Sequence, residues 1–276
     1  DVGDVAERST IVNSLAAQEF GSDYSDPYLV RAVGTSADYV AASGIRSRLT
    51  ASYEWQSPLR VNAGTISGAF EPTIPADDAH ASRFSLEIDR PPSLSMFGTE
   101  VEVHAELRSR IPYGTRADGS SSWDARTLRG ALSANIERPF GAFRLVTATT
   151  IAAVASPHRD QTPAQELVYL GGPTTGPGYD YHSIVSTRAF SEHVEWRVPA
   201  PFIPFSLGRF GRVPGRGTFA PFVHVIGATG AAALYPSVGA GFLTPFDLLR
   251  IDVARGLRHG RWTFSVDVSR QFWSVL

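Results

Sequence analysis

The chain contains neither cysteine nor lysine. The absence of cysteine excludes disulfides, thiolate zinc sites and cysteine nucleophiles. The absence of lysine makes all 25 basic residues arginine, whose planar guanidinium suits paired and partly dehydrated sites. No stretch approaches the ~18 consecutive apolar residues of a transmembrane helix. The formal net charge of −2 gives no reason to expect a nucleic-acid partner.

The sequence instead contains a strong two-residue alternation, which is clearest in residues 261–274. One parity of this run is apolar and the other polar: Trp262, Phe264, Val266 and Val268 against Thr263, Ser265 and Asp267. Successive side chains of a strand point to opposite faces, so the run predicts a strand with one apolar and one polar face. Its length of about ten residues is that of a tilted strand that crosses a bilayer. Phe272 and Trp273 end the run where an interfacial aromatic girdle would lie.

The same alternation predicts an all-β chain of about twelve strands, an even number such as bacterial outer-membrane barrels have. The predicted strands are 9–19, 28–40, 45–57, 80–90, 99–111, 124–138, 141–155, 183–198, 217–228, 232–243, 247–257 and 260–273. Long connections alternate with short ones: 58–79, 112–123 and 156–182 against 41–44, 139–140 and 244–246. Long extracellular loops and short periplasmic turns are typical of such barrels. We predict a polar N-terminal lead, 1–8, followed by one barrel domain, 9–276.

The connection 199–216 is long although it lies on the predicted periplasmic side. Two interpretations are open for it. It either lies along the membrane surface or is a solvated loop rich in proline and glycine. In the first case its anchors would be Phe202, Ile203, Phe205 and Phe210.

Alternation alone also fits a soluble β-sandwich. Two features favour a transmembrane antiparallel barrel. The strands are longer than the five or six residues usual in soluble domains, and their polar faces are dense and of mixed sign. If the sheet closes into a barrel with these polar faces inward, it encloses a water-filled lumen with arginine–carboxylate pairs between strands. The predicted lumen ladder comprises Arg46, Arg48, Glu54, Arg83, Glu87, Glu102, Glu106, Arg108, Arg129, Glu195, Arg197, His224, Arg250, Asp252 and Asp267. The predicted membrane-interface aromatics are Trp55, Trp196, Trp262, Phe272 and Trp273.

Two roles are open for the ladder. It holds strand register and fills the interior, or it lines a selective pore.

Residues 169–181, Tyr-Leu-Gly-Gly-Pro-Thr-Thr-Gly-Pro-Gly-Tyr-Asp-Tyr, resemble the sixth-loop motif of the bacterial surface-antigen superfamily of outer-membrane barrels. This superfamily includes BamA, TamA and FhaC. Residues 219–227 and 237–254 resemble the strands that follow that loop. The resemblance implies an outer-membrane location, a lateral seam between the first and last strands, and a loop that acts as plug or gate. The loop residues concerned are Leu170, Gly171, Gly172, Gly176, Pro177, Gly178 and Tyr179.

The chain departs from this family in a pair of positions. Pro177 stands where the family has an arginine, and His224 stands where the family has the aspartate that pairs with it. Since both partners of the ion pair are replaced, we expect this loop to be held differently, which puts in doubt its family position inside the lumen. The family commonly has sixteen strands and preceding periplasmic domains, so this chain resembles a reduced member or the barrel of a longer protein.

These observations predict a barrel that anchors, translocates or inserts a polypeptide or partner domain at the bacterial outer membrane. The expected partners are outer-membrane lipid and lipopolysaccharide, a polypeptide client, a periplasmic partner or a covalently preceding soluble domain. One alternative is a passive or selective small-solute channel. Another is a hydrolase that uses His158, Asp160, Asp180 and His182 of the long loop to activate water. Their spacing is not diagnostic, so we expect no enzymatic activity, and no residue pattern indicates a metal or a cofactor.

Overall fold

A computed structural model describes most of the chain. The described residues are 26–59, 74, 76–94, 98–114, 122–158, 161–206, 208, 212–231, 233–258 and 261–268. The predicted lead 1–8 and first strand 9–19 lie outside them. So do four of the predicted site residues: Asp160, Phe210, Phe272 and Trp273.

The described part of the chain is built almost entirely from strands. Their bounds are β1 Tyr28–Val40, β2 Arg46–Pro58, β3 Ala79–Leu94, β4 Glu100–Tyr113, β5 Thr127–Phe140, β6 Phe143–Ala155, β7 Val168–Leu170, β8 Ile184–Ser186, β9 Arg188–Pro201, β10 Phe205–Ser206, β11 Arg212–Val213, β12 Arg216–Ala228, β13 Tyr235–Leu243, β14 Leu249–Gly256 and β15 Trp262–Val268. The helical pieces are one α-turn, α1, at Gly172–Thr175 and three 3₁₀ turns at Ser122–Ala125, Ala164–Glu166 and Pro245–Asp247. Among the described residues, no helix is both long and apolar enough to cross a membrane.

Eleven of the strands form one antiparallel sheet in the order β1-β2-β3-β4-β5-β6-β9-β12-β13-β14-β15. Apart from the small pairs β7–β8 and β10–β11, each strand therefore pairs with its neighbour in the chain. The connection between β6 and β9 marks what we call the upper end of the sheet. The tight turns after β1 and β5 mark its lower end.

The register of the sheet separates an apolar face from a polar face. In the pairing of β2 with β3, Leu49 lies opposite Leu86 and the adjacent Arg48 lies opposite Glu87. The apolar face is the exposed one, since Leu49 is 58% exposed whereas Glu54, on the polar face, is 4% exposed. This arrangement is the reverse of a soluble sandwich and is that of a sheet whose outer face meets lipid.

The sheet curves so that its polar face surrounds residues 161–187, which we call the inner loop. Glu166 of this loop lies near arginines of β3 and β4. Gly178 of the same loop contacts Thr263 of β15, on the far side of the sheet. The inner loop therefore spans the interior from one wall to the other.

The structure corrects three predicted boundaries. The predicted strand 183–198 is divided, because Ile184–Ser186 pairs with Val168–Leu170 within the inner loop and the main strand begins at Arg188. The predicted strand 124–138 begins later, since a 3₁₀ turn occupies Ser122–Ala125. The connection 199–216 is not one continuous loop, since it contains the short pair β10–β11.

Candidate functional site: the inner loop and the polar wall around it

All fifteen residues of the predicted lumen ladder lie on the inward face of the sheet. The register places Arg48 opposite Glu87, Glu106 beside Glu87, and Arg250 opposite Asp267. Glu54 and Arg129 are buried there, whereas Arg46 and Glu102 lie on the same face nearer the lower end. The alternation in the sequence thus assigned these side chains to the correct face, while their function stays a prediction.

The first polar cluster centres on Glu195, whose side chain is only 1% exposed. Arg197 Nε donates to Glu195 Oε1 at 2.6 Å, and Arg250 Nη2 donates to Glu195 Oε2. Arg250 Nε also donates to Asp252, with a distance of 2.7 Å to Oδ2, and Arg197 reaches Glu137 on β5. One continuous ionic network, which we call the lower network, therefore joins β5, β9 and β14.

A glycine on β13 makes this network possible. Arg250 lies on β14 and Glu195 on β9, so the guanidinium must pass over the two strands between them. A Cβ at Gly241 would come within 3.1 Å of Arg250 Nη2 and would overlap the Asp252 carboxylate. Gly241 is therefore explained by the path that Arg250 takes across the sheet, whereas the Phe222 ring occupies the space above Gly239.

The second polar cluster, which we call the upper cluster, fixes the start of the inner loop to the β2–β4 wall. Glu166 is fully buried, 3.9 Å from Arg110 Nε and 4.0 Å from Arg83 Nη2. The adjacent Gln165 donates to Gln56 Oε1 on β2 at 3.1 Å and accepts from the backbone N–H of Asp77 at 3.0 Å. A fully buried carboxylate needs opposite charge nearby, and the two arginines supply it.

The predicted loop motif forms a compact turn on the other side of the interior. Leu170 packs with Val168, Tyr179 and Ile184 of the loop against inward-facing apolar residues of β6, β9 and β12. Gly172 N–H donates to the Tyr179 carbonyl at 3.1 Å and closes the turn around α1. The Tyr179 hydroxyl donates to the Pro236 carbonyl on β13, and the Gly178 N–H donates to Thr263 Oγ1 on β15 at 2.8 Å.

His224 still contacts the loop although the family's ion pair is absent. Its Nε2 lies 3.0 Å from the Thr175 carbonyl and 3.1 Å from Ser191 Oγ. Pro177 lines the cavities between the loop and the wall, one of which also includes His193, Arg250 and Asp252. The doubt about the loop position was therefore wrong. The loop lies within the curve of the sheet. There the contact of His224 Nε2 with the Thr175 backbone carbonyl replaces the family's ion pair.

Two adjacent parts of the loop tie it to both described edges of the sheet. Arg261, just before β15, donates to Asp180 at 2.7 Å. His182 Nδ1 contacts the Asp26 carboxylate just before β1, and both side chains are buried. Of the residues proposed for a hydrolase, Asp180 and His182 are thus held in different pairs, and Asp160 lies outside the described residues. The Ser156 hydroxyl donates to the backbone carbonyl of His158. Burial, with Asp26 and Asp77 nearby, raises the pKa of Tyr169 to about 12, so this phenol beside His182 stays neutral at physiological pH.

The three described aromatics of the predicted membrane interface lie on the outward face. Trp196 stacks on Phe140 with ring centroids 6.0 Å apart, near the lower end of the sheet. Trp262 lies near the upper end, where Arg255 approaches its ring at 5.5 Å, and Trp55 is also near that end. They lie towards the two ends of the sheet, and their location at a membrane interface stays a prediction. In the 199–216 connection, Ile203 is 80% exposed and Phe202 stacks on Phe242.

Comparison with known proteins bears on the fold. No family model and no curated protein matches the sequence. Among solved structures, the crystal structure of BamA from Haemophilus ducreyi lacking POTRA domains 1–3 matches with a TM-score of 0.57 and 13% identity. The match covers 91% of this chain. The chain has the fold of a BamA-like transmembrane β-barrel. It spans 56% of the length of that BamA chain.

Several residues of the site were not predicted from the sequence. Glu166 and Gln165 lie in a connection whose composition is typical of a solvated loop, so nothing local indicates their burial. Arg110 continues the alternation of the polar face of β4, which gave a usable signal. Gly241 could have been suspected from the glycine-rich strand, but not its role beneath Arg250.

Gly178→Ala is expected to weaken docking of the inner loop more than Gly141→Ala weakens the β5–β6 turn. Both glycines have positive φ, +92° and +64°, so each variant carries a conformational cost of about 1–2 kcal/mol. A Cβ at Gly178 would also lie 2.8 Å from the Arg255 carbonyl carbon and closer still to the Gly256 nitrogen, whereas Gly141 has nothing within 4 Å. Limited proteolysis of the inner loop and thermal unfolding on gels measure the difference. Equal losses in the two variants would contradict a tight contact between the loop and β14.

Proposed function

We propose that the chain is an outer-membrane barrel that anchors a polypeptide or partner domain at the membrane, or passes it across, with the inner loop as plug. The observation that carries this proposal is the fixation of the loop to opposite walls. Glu166 and Gln165 hold its start to β2–β4, while Gly178 and Tyr179 hold its tip to β13–β15. A loop held this firmly blocks free diffusion of solutes and is suited to a barrel that opens only for a client.

A small-solute channel is the second candidate, since two inward ion pairs near the lower end of β1–β4 are open to solvent. The Arg48–Asp38 pair has both side chains 55% exposed, and the His104–Asp89 pair is similarly open. These pairs lie nearer the lower end of the sheet than the inner loop does, and the space between the loop and that end is open to water. A channel would require only that the loop move or leave a gap beside it.

We propose no catalytic role for the long loop. Asp180 pairs with Arg261 and His182 pairs with Asp26, and both pairs tie the loop to the sheet edges. The proposed partners are outer-membrane lipid and lipopolysaccharide on the outside and a polypeptide on the inside.

Site-specific photocrosslinking tests this function in intact cells. His104 and Val103 are neighbours on β4 but point to opposite faces, so a photoreactive residue at each gives a matched pair. We expect polypeptide adducts from position 104 and lipid adducts alone from position 103. Steady ion conductance without any adduct at position 104 would instead favour the channel. Absence of the protein from the outer-membrane fraction would contradict both candidates.

Glu166→Ala is expected to loosen the plug without unfolding the barrel. The change leaves Arg110 without the carboxylate nearest to it and frees the start of the loop from the β2–β4 wall. Single-channel recordings should show openings several-fold more frequent than in the unchanged protein. Glu106→Ala is the matched control, because Glu106 is an inward carboxylate that pairs with Arg108 on its own strand and has no described contact with the loop. Equal opening frequencies in the two variants would show that the upper cluster does not hold the plug.

A further inference from the structure

The connection between β9 and β12 carries positive charge and no negative charge. Its residues 199–216 include Arg209, Arg212 and Arg216 but neither aspartate nor glutamate. They also include three phenylalanines, an isoleucine, a leucine and a valine. The four other connections between neighbouring strands at the lower end of the described sheet contain no arginine. The segment is therefore both basic and apolar, a composition typical of segments that lie at a membrane surface.

The first aromatic ring of this segment lies against the outward face of the sheet. Phe202 stacks on Phe242 of β13, with ring centroids 6.2 Å apart. The register places Phe242 directly opposite Phe219 of β12, which is 45% exposed on the outward face. A Cβ at Gly217 would lie 2.8 Å from Phe242 Cζ, so the glycine lets that ring lie close to the sheet. The chain therefore leaves β9 towards the outer face of the sheet and not towards its interior.

The ring contact extends a group of exposed aromatics at the lower end of the sheet. Trp196 stacks on Phe140, and its ring centroid is 6.1 Å from that of Phe143. Phe219 lies opposite Val198, two residues further down β9 than Trp196. Aromatic residues form girdles at the two membrane interfaces of such barrels. The segment therefore begins at the depth where we expect lipid headgroups.

The hairpin β10–β11, which lies within this segment, has one apolar and one polar face. Phe205 pairs with Val213, whereas the adjacent Ser206 pairs with Arg212. Successive side chains of a strand point to opposite faces, so the first pair forms the apolar face and the second pair the polar face. The apolar side chains are not covered by the described protein, since Phe205 is 48% exposed and Ile203 just before it is 80% exposed.

We propose that the β10–β11 hairpin is a membrane anchor that binds anionic phospholipid headgroups at the lower rim of the barrel. Ile203 and Phe205 enter the apolar layer beside the barrel wall, where Phe202 already lies on the lipid-facing surface. Arg212 and Arg216, both exposed, remain at the headgroup level. A guanidinium donates paired hydrogen bonds to phosphate oxygens, and a net positive segment is attracted to an anionic membrane surface. The absence of acidic residues from 199–216 leaves this attraction unopposed within the segment.

Single cysteines that carry a fluorophore test the anchor, because the chain has no cysteine of its own. Phe205→Cys places the label on the apolar face of the hairpin, and Ser206→Cys, its neighbour on the polar face, is the matched control. The full chain is reconstituted in vesicles of phosphatidylcholine with phosphatidylglycerol. We expect lipids brominated on the acyl chain to quench the label at position 205 several-fold more than the label at position 206. Iodide in the water should show the opposite order.

The arginines are tested by adding Arg212→Gln and Arg216→Gln to Phe205→Cys, with heat-modifiable gel migration to check that the barrel is folded. The double change should lower lipid quenching at position 205 in the mixed vesicles to the level seen in phosphatidylcholine alone. Quenching that the double change leaves unaltered would overturn the binding of anionic headgroups. Equal lipid quenching of the labels at positions 205 and 206 would overturn the anchor. So would protein adducts, in place of lipid adducts, from a photoreactive residue at position 205 in intact cells.

A third label separates this proposal from the proposed function, on whose membrane insertion it rests. Leu86→Cys places the fluorophore on the outward face of β3, away from the hairpin. If brominated lipids quench the label at position 86 but not the label at position 205, the barrel is inserted and the anchor alone is overturned. If they quench neither label, the chain is not inserted and the proposed function fails with the anchor.

Discussion

Replacing residues 157–186 by a short turn is expected to convert a barrel with little steady conductance into a stably open pore. The two ends of this segment are already adjacent, because Ala153 pairs with Arg188 and the Val154 N–H donates to the Thr187 carbonyl at 2.7 Å. A tight antiparallel turn can therefore join β6 to β9 without distorting either strand. The excision removes the loop side of the apolar cluster around Leu170, together with Glu166 and Gln165. The inward wall that remains keeps the polar ladder and the strand residues of that cluster, which are Ala152, Val154, Ala189 and Ile226.

Planar-bilayer recording measures this change, and heat-modifiable gel migration shows that the shortened barrel is folded. The matched control shortens the β10–β11 hairpin between β9 and β12, which has no described contact with the inner loop and should leave conductance unchanged. A folded, shortened barrel that conducts no better than the unchanged chain would show that the inner loop is not a plug. Large steady conductance before any excision would favour the solute channel.

The strands of the sheet could be predicted from sequence because lipid outside and water inside impose the same two-residue period on every strand. The predicted strand 28–40 coincides with β1, and 45–57 differs from β2 by one residue at each end. Alternation also placed Glu195 and Arg250 on the inward face. It could not show that their carboxylate and guanidinium meet across two intervening strands, since that depends on the space above Gly241.

The structure of the inner loop could not be predicted from alternation alone. The Leu170-Gly171-Gly172 motif indicated the loop through resemblance, but Ile184–Ser186, which pairs with β7, was predicted as part of the following strand. A run such as Ile184–Ser186 has the same local pattern whether it pairs with a loop segment or with the main sheet. The replacement of the ion pair at Pro177 and His224 predicted a loop that is held differently and put its position inside the lumen in doubt. The loop keeps its place because apolar packing and several neutral hydrogen bonds hold it.

Glu195→Ala is expected to cost the barrel about 3–5 kcal/mol of unfolding free energy, the loss typical when one partner of a buried ion pair is removed. Arg197 and Arg250 both donate to this carboxylate, and its side chain is 1% exposed, so the change leaves two guanidinium groups poorly compensated. Asp38→Ala is the matched control, because Asp38 pairs with Arg48 where both side chains are 55% exposed and such pairs contribute about 0–1 kcal/mol. Denaturant unfolding of the refolded barrel, followed by tryptophan fluorescence, measures both losses. Similar losses in the two variants would mean that water reaches Glu195 as freely as it reaches Asp38.

A quadruple variant, Glu195→Leu with Arg197→Leu, Arg250→Leu and Asp252→Leu, separates the stability of the lower network from its function. Replacing a whole buried ionic group by apolar side chains is often neutral or stabilising, and Glu137 keeps its pair with Arg144, so this variant should unfold at a denaturant concentration close to that of the unchanged barrel. The inward wall beside the loop tip would then lose its charges, because Arg250 and Asp252 line the cavity next to Pro177. If the quadruple variant is as stable as the original yet loses crosslinks from position 104, the network serves passage of the polypeptide. If it retains them, the network serves only to hold β9 and β14 in place.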